Sequence, residues 1–325
     1  MNQYQVKQYQ NSNYEQWNEF ISQAKNATFL FHRDFMEYHQ DRFEDYSLMV
    51  YDDKKLVAVL PANKVGDQLY SHQGLSYGGL VYQEDLKLSS VIKVFQVILD
   101  FMFSSGILKL QLKTIPFIYY QKPAQELEYI LFLLGAKLIR RDTLSVIDLT
   151  EDYAFSKLRK RGVQKAVKNQ LVIKEEDNFD AFWNQVLIPN LQERHQAHPV
   201  HTIAEITKLK EIFPENIKQF NVYKGDEIVA GTTVFETNKV AHCQYISKFE
   251  KDENLGSLDF LYNFLIIEKY KNKHFFDFGI SNEDQGKKLN EGLSIWKESF
   301  GASTIVHDFY EVETANFALL KNCMI

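Results

Sequence analysis

The residues best suited to chemistry sit on two short apolar runs in the C-terminal half. In KVAHCQYISKFE, residues 239–250, a histidine and a tyrosine interrupt a strand-like sequence. Period-two alternation puts His242, Gln244 and Ile246 on one face and Cys243, Tyr245 and Ser247 on the other. A histidine ordinarily titrates near neutrality, so His242 has the chemistry to take a proton from an amine. A lone strand histidine also serves as a hydrogen-bonded structural residue. In HFFDFGIS, residues 274–281, Asp277 shares a face with Gly279 and Ser281.

Two further stretches suit anionic ligands. EDYAFSKLRKRGVQKAVKNQL, residues 151–171, carries Lys157, Arg159, Lys160, Arg161, Lys165 and Lys168. Such a run is either a solvated helix face or a cradle for phosphates, with Arg159, Lys160 and Arg161 as its substrate-binding candidates. KFEKDENLG, residues 248–256, leads into a helix expected to start near Ser257. A helix start presents unpaired N–H groups and the positive end of the dipole, which suit a pyrophosphate, and Gly256 permits close backbone approach. RHQAHPVH, residues 194–201, holds three histidines, but Pro199 breaks the helix that would align them, so no metal is expected. The stretch reads as a cleft-rim loop with Arg194 and His195 facing an acceptor, or as an exposed loop.

These residues are positioned by elements that occur twice. SLMVYDDKKLVAVLPANKV, residues 47–65, aligns without a gap onto FNVYKGDEIVAGTTVFE, residues 220–236, with Val50-Tyr51 against Val222-Tyr223. Each reads as a β-hairpin with a polar turn. After each come another strand, a helix-periodic run (SVIKVFQVILDFMFSSG or SLDFLYNFLIIEKYKNK) and a short strand (KLQLK or HFFDFGIS). The recurring order β, β, β, α, β indicates a duplicated domain. The expected division is 1–150 and 151–325, with Thr150 capping a helix whose first turn holds Glu151 and Asp152.

Composition sets the outer limits. The 325 residues have room for two domains, and 45% hydrophobic content is enough to bury a core in each. The chain has no apolar stretch of transmembrane length and no signal-peptide pattern, so a soluble, cytoplasmic protein without membrane insertion is expected. Two cysteines, Cys243 and Cys323, give no disulfide framework. A net charge of −6 argues against DNA or other bulk nucleic acid as a partner.

Taken together, the chain resembles the GNAT superfamily of N-acetyltransferases, in particular the tandem branch that includes the Fem-type peptidyltransferases of cell-wall synthesis. The family's donor loop, Arg/Gln-x-x-Gly-x-Gly/Ala, matches Lys251-Asp-Glu-Asn254-Leu255-Gly256, which keeps the last glycine and puts Asn254, tolerant of positive φ, at the first. YGGLV at 77–81, LRKRGVQKAVKNQL at 158–171, and HFFDFGIS followed by EGLSIWKESFGA at 291–302 are similar to Fem-type segments. The resemblance implies an α/β (α+β) fold of two tandem GNAT-like domains, each a mixed, mostly antiparallel sheet flanked by helices. It implies an acyltransferase in which an amine attacks the donor carbonyl, with Asp277 the base by family position, His242 the alternative base and Tyr245 a further catalytic candidate. Acetyl-CoA or another acyl-CoA would lie on Lys251, Asn254, Leu255, Gly256 and Ser257, with Lys297 reaching it. A backbone N–H near Gln244–Ser247 would hold the oxyanion. The first copy has no glycine between Gly79 and Gly106, so donor binding there is not expected. The acceptor would be a small-molecule or amino-sugar amine. Alternatives are an aminoacyl-tRNA donor for a cell-wall precursor, or a degenerate, non-catalytic binding protein.

Overall fold

The structure is a computed structural model that describes residues 4–249 and 255–324, apart from the side chains of Arg194 and His195. The chain divides into two compact units. One comprises Met1–Asp142, Gln285–Lys287 and Val306–Ile325, and the other Thr143–Asp284 and Lys288–Ile305.

The first unit holds the first hairpin, Leu48–Asp52 with Lys55–Leu60, in a sheet with Tyr4–Gln8 on one side and Val81–Tyr82 on the other. The apolar helix Leu88–Ser104 buries Val91, Val94, Phe95, Ile98, Leu99 and Met102, the i, i+3, i+4 set that makes one wide apolar face. A second sheet runs from Glu44–Asp45 through Asn63–Val65, Gln68–Tyr70 and Lys109–Lys113 to residues 309–313.

That last pairing departs from a single cut at 150. The end of the chain returns to the first unit because Phe309–Glu313 pair antiparallel with Lys109–Lys113. The hydroxyl of Thr314 then donates to the Ile107 and Leu108 carbonyls.

In the second unit the strand order is Leu171–Glu176, Ile217–Lys224, Glu227–Glu236, Val240–Lys248, Phe275–Ile280 and residues 143–148. All neighbours are antiparallel except Val240–Lys248 and Phe275–Ile280. Beneath one face lies a core of Cys243, Leu261, Tyr262, Phe276, Phe278 and Phe300, to which Trp296 adds an edge-on ring.

The duplication is visible in a shared irregularity. The first hairpin slips register between Val50 and Tyr51, and the second between Val222 and Tyr223. In each, one extra valine, Val57 or Val229, bulges out of the second strand. These are aligned positions of the repeat, and a bulge is a specific feature of a strand pair rather than a generic one.

The helix after the boundary starts later than the sequence suggests. Thr150 turns back onto Asp148 instead of capping, and the helix is Lys157–Lys168, with Ser156 accepting from the Arg159 N–H. Serine is among the best N-cap residues, and here it lies next to the basic run.

Candidate functional site

His242 and Asp277 are brought together by a parallel strand pair of the second unit. Val240–His242 pair with Phe275–Asp277, and pairing stops there although both strands run on, to Lys248 and Ile280. At this last pair the carboxylate Oδ2 of Asp277 is 2.9 Å from Nδ1 of His242. Its Oδ1 accepts from the Gly279 N–H at 2.7 Å. Asp277 is buried and His242 partly so. A carboxylate can only accept, so Nδ1 of His242 carries a proton in this pair. Gly279 has φ +74°, and a Cβ there would stand 3.3 Å from His242 Cε1.

The simple alternation expected for Val240–Lys248 is broken. Thr233 pairs with Tyr245 and Val234 with Cys243, so Gln244 is the extra residue of a β-bulge. The neighbours register this change. Cys243 and Ile246 lie on the Tyr262 core, whereas Tyr245 packs edge-on against Trp183. Phe235, paired with His242, meets the ring of His201, and Nδ1 of His201 is 2.7 Å from the Tyr245 hydroxyl. His242 and Tyr245, separated by three positions, therefore share a face that alternation would deny them. Burial pushes the Tyr245 phenol up to about 12, and its hydroxyl is engaged by His201.

His201 is the histidine of RHQAHPVH that reaches this face. The helix Ile188–His195 ends in a left-handed Gln196, and the turn that follows brings His201 under the strand. The side chains of Arg194 and His195 lie outside the described residues. Among the described residues, no three His, Cys, Asp or Glu side chains come together to hold a metal ion.

Lys297, expected to reach the donor, is buried. It lies on the inward face of the helix Glu291–Glu298 and is 2% exposed. Its Nζ donates to the carbonyls of Gly279 at 3.0 Å and Ile280 at 2.6 Å. Burial lowers its pKa to about 8, against the pull of Asp277. It braces the strand end that carries Asp277.

A second feature is a cleft of about 490 Å³ between the basic helix and the start of the helix Ser257–Phe264. It is lined by Arg159, Arg161, Lys165, Lys248, Gly256, Ser257 and Trp296 among others. The two helices meet on glycines. A Cβ at Gly256, φ +76°, would come within 2.2 Å of the Gly162 carbonyl oxygen, and one at Gly162 within 1.6 Å of Asp259 Oδ2. Gly256 is thus required by helix packing as well as by its φ. Asp259, in the first turn, pairs with Arg159, and burial pushes its carboxyl above the usual range while Arg159 opposes the shift. Of the basic candidates, Arg161 lines the cleft, Arg159 is held by Asp259 over the ring of Phe300, and Lys160 is exposed and does not line it. Leu255 packs on the core and Ser257 is buried at the cleft wall. Lys251 and Asn254 lie outside the described residues. Lys248 links the two features, since it ends the strand of His242, roughly 20 Å away at the rise of a strand.

No family model matches the chain, and no curated protein does. Solved structures do. FemX superposes with a TM-score of 0.66 over 98% of this chain and 99% of its own, at 11% identity. A tandem GNAT protein from the clavulanic acid biosynthesis pathway gives 0.52 over 96% and 98%, at 9% identity. The fold is a tandem GNAT fold of the Fem-like kind. The L-PGS of Bacillus licheniformis gives 0.56 over 81% of this chain and 85% of its own, at 14% identity. Within the tandem GNAT fold, the strand pair that parts after His242 and Asp277 belongs to the second copy. Sequence reasoning missed the Gln244 bulge and the Gly162–Gly256 contact. Gly162, within the basic run, was the available signal for the second. Among the described residues no helix is long and apolar enough to cross a membrane.

Proposed function

We propose that the protein is an N-acyltransferase whose second unit moves an acyl group from an acyl-CoA thioester to the amine of a small molecule or amino sugar. The observation that carries this reading is the hydrogen-bonded His242–Asp277 pair at the point where two parallel strands stop pairing. His242 takes a proton from the acceptor ammonium, and Asp277 steadies the imidazolium that results. The amine nitrogen then attacks the thioester carbonyl carbon. A backbone N–H between Gln244 and Ser247 stabilises the oxyanion. The C–S bond breaks, the nitrogen gives up its second proton as the amide forms, and the leaving thiolate takes that proton up as the free thiol.

Donor phosphates lie in the cleft lined by Arg161, Lys165 and Lys248, near the start of the helix Ser257–Phe264. The extended strand from Lys248 back to His242 gives a pantetheine-type arm a track toward the base.

A second reading, an aminoacyl-tRNA donor, is favoured by one observation. Lys157, Lys160, Arg161, Lys165 and Lys168 are all exposed, so the positive surface extends past the cleft, while Asp259 occupies the first turn of its helix. Calorimetric titration separates the two. Binding of acetyl-CoA that is lost in Lys248→Glu supports the thioester reading. Absence of acetyl-CoA binding together with salt-dependent tRNA binding would replace it with the second.

A further inference from the structure

The cleft at the start of the helix Ser257–Phe264 already holds an anion of the protein's own. Asp259, in the first turn of that helix, lines the cleft and pairs with Arg159, the two side chains being only 13% and 14% exposed. Its carboxylate lies so close over Gly162 that a Cβ there would overlap it. Arg159 is committed twice, to Asp259 and to the ring of Phe300. The remaining cations of the lining are Arg161, Lys165 and Lys248, and Leu158, Leu258 and Trp296 give it an apolar part. A resident carboxylate at a helix start works against every phosphate added there after the first cations are matched. The cleft therefore suits a donor that brings few phosphates into it.

Outside the cleft the demand is reversed. On the basic helix, Leu158, Arg161 and Lys165, spaced by three and four, turn toward the cleft, whereas Lys157, Lys160 and Lys168 are exposed and lie outside its lining. Lys160 and Lys168 share a stripe with the exposed Gln164 between them. Positive surface thus runs on from the cleft mouth in a protein whose net charge is −6. Such a local patch is complementary to an acidic macromolecule docked beside the cleft.

These two features sort the possible donors. Coenzyme A carries three phosphates into the cleft and leaves the outer helix face without a partner. An RNA end carries successive phosphates to both places. An acidic carrier protein brings a single arm phosphate to the cleft and its carboxylates to the helix face, and the methyl and methylene groups of the arm match the apolar lining. We propose that the acyl group is delivered by such a carrier, on a phosphopantetheine-type arm, with the arm phosphate at Arg161, Lys165 and Lys248 and the carrier body against Lys157, Lys160 and Lys168. The inference rests on the thioester reading of this cleft and narrows it from the free coenzyme to the same arm held on a protein. The chemistry balances as before: the N–C bond forms, the C–S bond breaks, and the arm thiol takes up the proton released by the amine and departs with the carrier.

The test is calorimetric titration of the full chain, at low salt, with coenzyme A, with a fatty-acid-type acyl carrier protein bearing its arm, with the same carrier lacking the arm, and with bulk tRNA. The arm-bearing carrier is expected to bind about tenfold more tightly than coenzyme A, and more tightly than the carrier without its arm. Lys160→Gln combined with Lys168→Gln, both on the exposed stripe, should weaken the carrier about fivefold and leave coenzyme A within about twofold of the parent. Asp259→Asn should strengthen coenzyme A more than the carrier, since three phosphates gain more than one from losing the carboxylate. The proposal is overturned if the carrier binds no more tightly than coenzyme A, if the arm makes no difference, if the double variant binds the carrier as the parent does, or if tRNA binds more tightly than the carrier. Coenzyme A binding alongside any of these results overturns the carrier and leaves the thioester reading standing, whereas binding of neither coenzyme A nor carrier removes both.

Discussion

Gly162 and Gly256 touch backbone to backbone: a Cβ on Gly256 would lie 2.2 Å from the Gly162 carbonyl oxygen. The basic helix and the helix that opens the cleft are set at a distance only glycine allows, and that distance shapes the cleft wall. Gly256→Ala meets both this clash and a φ of +76°. It should lower stability by about 2–4 kcal/mol. Urea denaturation checks this, and a loss no larger than at an open glycine such as Gly225→Ala would contradict it.

Charge in the cleft is expected to govern donor affinity. Arg161→Ala and Lys165→Ala should each weaken donor binding several-fold and flatten its dependence on salt, because both residues line the cleft. Asp259→Asn should act in the opposite direction by removing the carboxylate that holds Arg159. Titrations at two salt concentrations read both effects, and equal affinities across the three variants would remove the phosphates from this cleft.

Tyr245 and His201 are expected to matter for stability rather than turnover. Tyr245→Phe loses the 2.7 Å contact to His201 but keeps the packing on Trp183. It should cost about 1–2 kcal/mol and leave kcat within about threefold. A fall in kcat at the level expected of a general acid, about a hundredfold or more, would make Tyr245 catalytic.

The first unit should be sensitive to acid. Burial lowers His307 to about 4 and His72 to about 3, below the ordinary 6.5. Between those values the unfolded chain binds protons that the native state excludes. Stability is therefore complete above about pH 6.5 and falls as the pH drops, by roughly 2–3 kcal/mol per histidine at about pH 4.5. Urea midpoints across this range should show the slope, and His307→Leu should remove about half of it.

The duplication was legible because each copy writes its hairpin in the same residue types, and even the shared bulge falls at aligned valines. The partnership of His242 and Asp277 was visible only as two candidates on separate strands. Their contact depends on parallel register, which a single strand does not encode. The Gln244 bulge was hidden for a related reason: the extra residue is defined by its partner strand, and HCQYIS alternates as written. The burial of Lys297 was not legible because its partners are backbone carbonyls, which leave no mark on a sequence. The return of the C-terminal strand to the first unit is likewise a long-range pairing, here with Lys109–Lys113.

The most direct measurement is single-turnover acyl transfer to a glucosamine-type amine, from acetyl-CoA, by the parent, His242→Ala and Asp277→Asn across a pH series. With His242 as base, His242→Ala should slow the chemical step by about 10²–10⁴ and lose the acid limb of the rate profile. Asp277→Asn should slow it less, since His242 remains but its imidazolium loses the carboxylate that steadies it. If both variants keep the parent's rate and profile, the pair at the end of the parallel strands is structural and the base lies elsewhere.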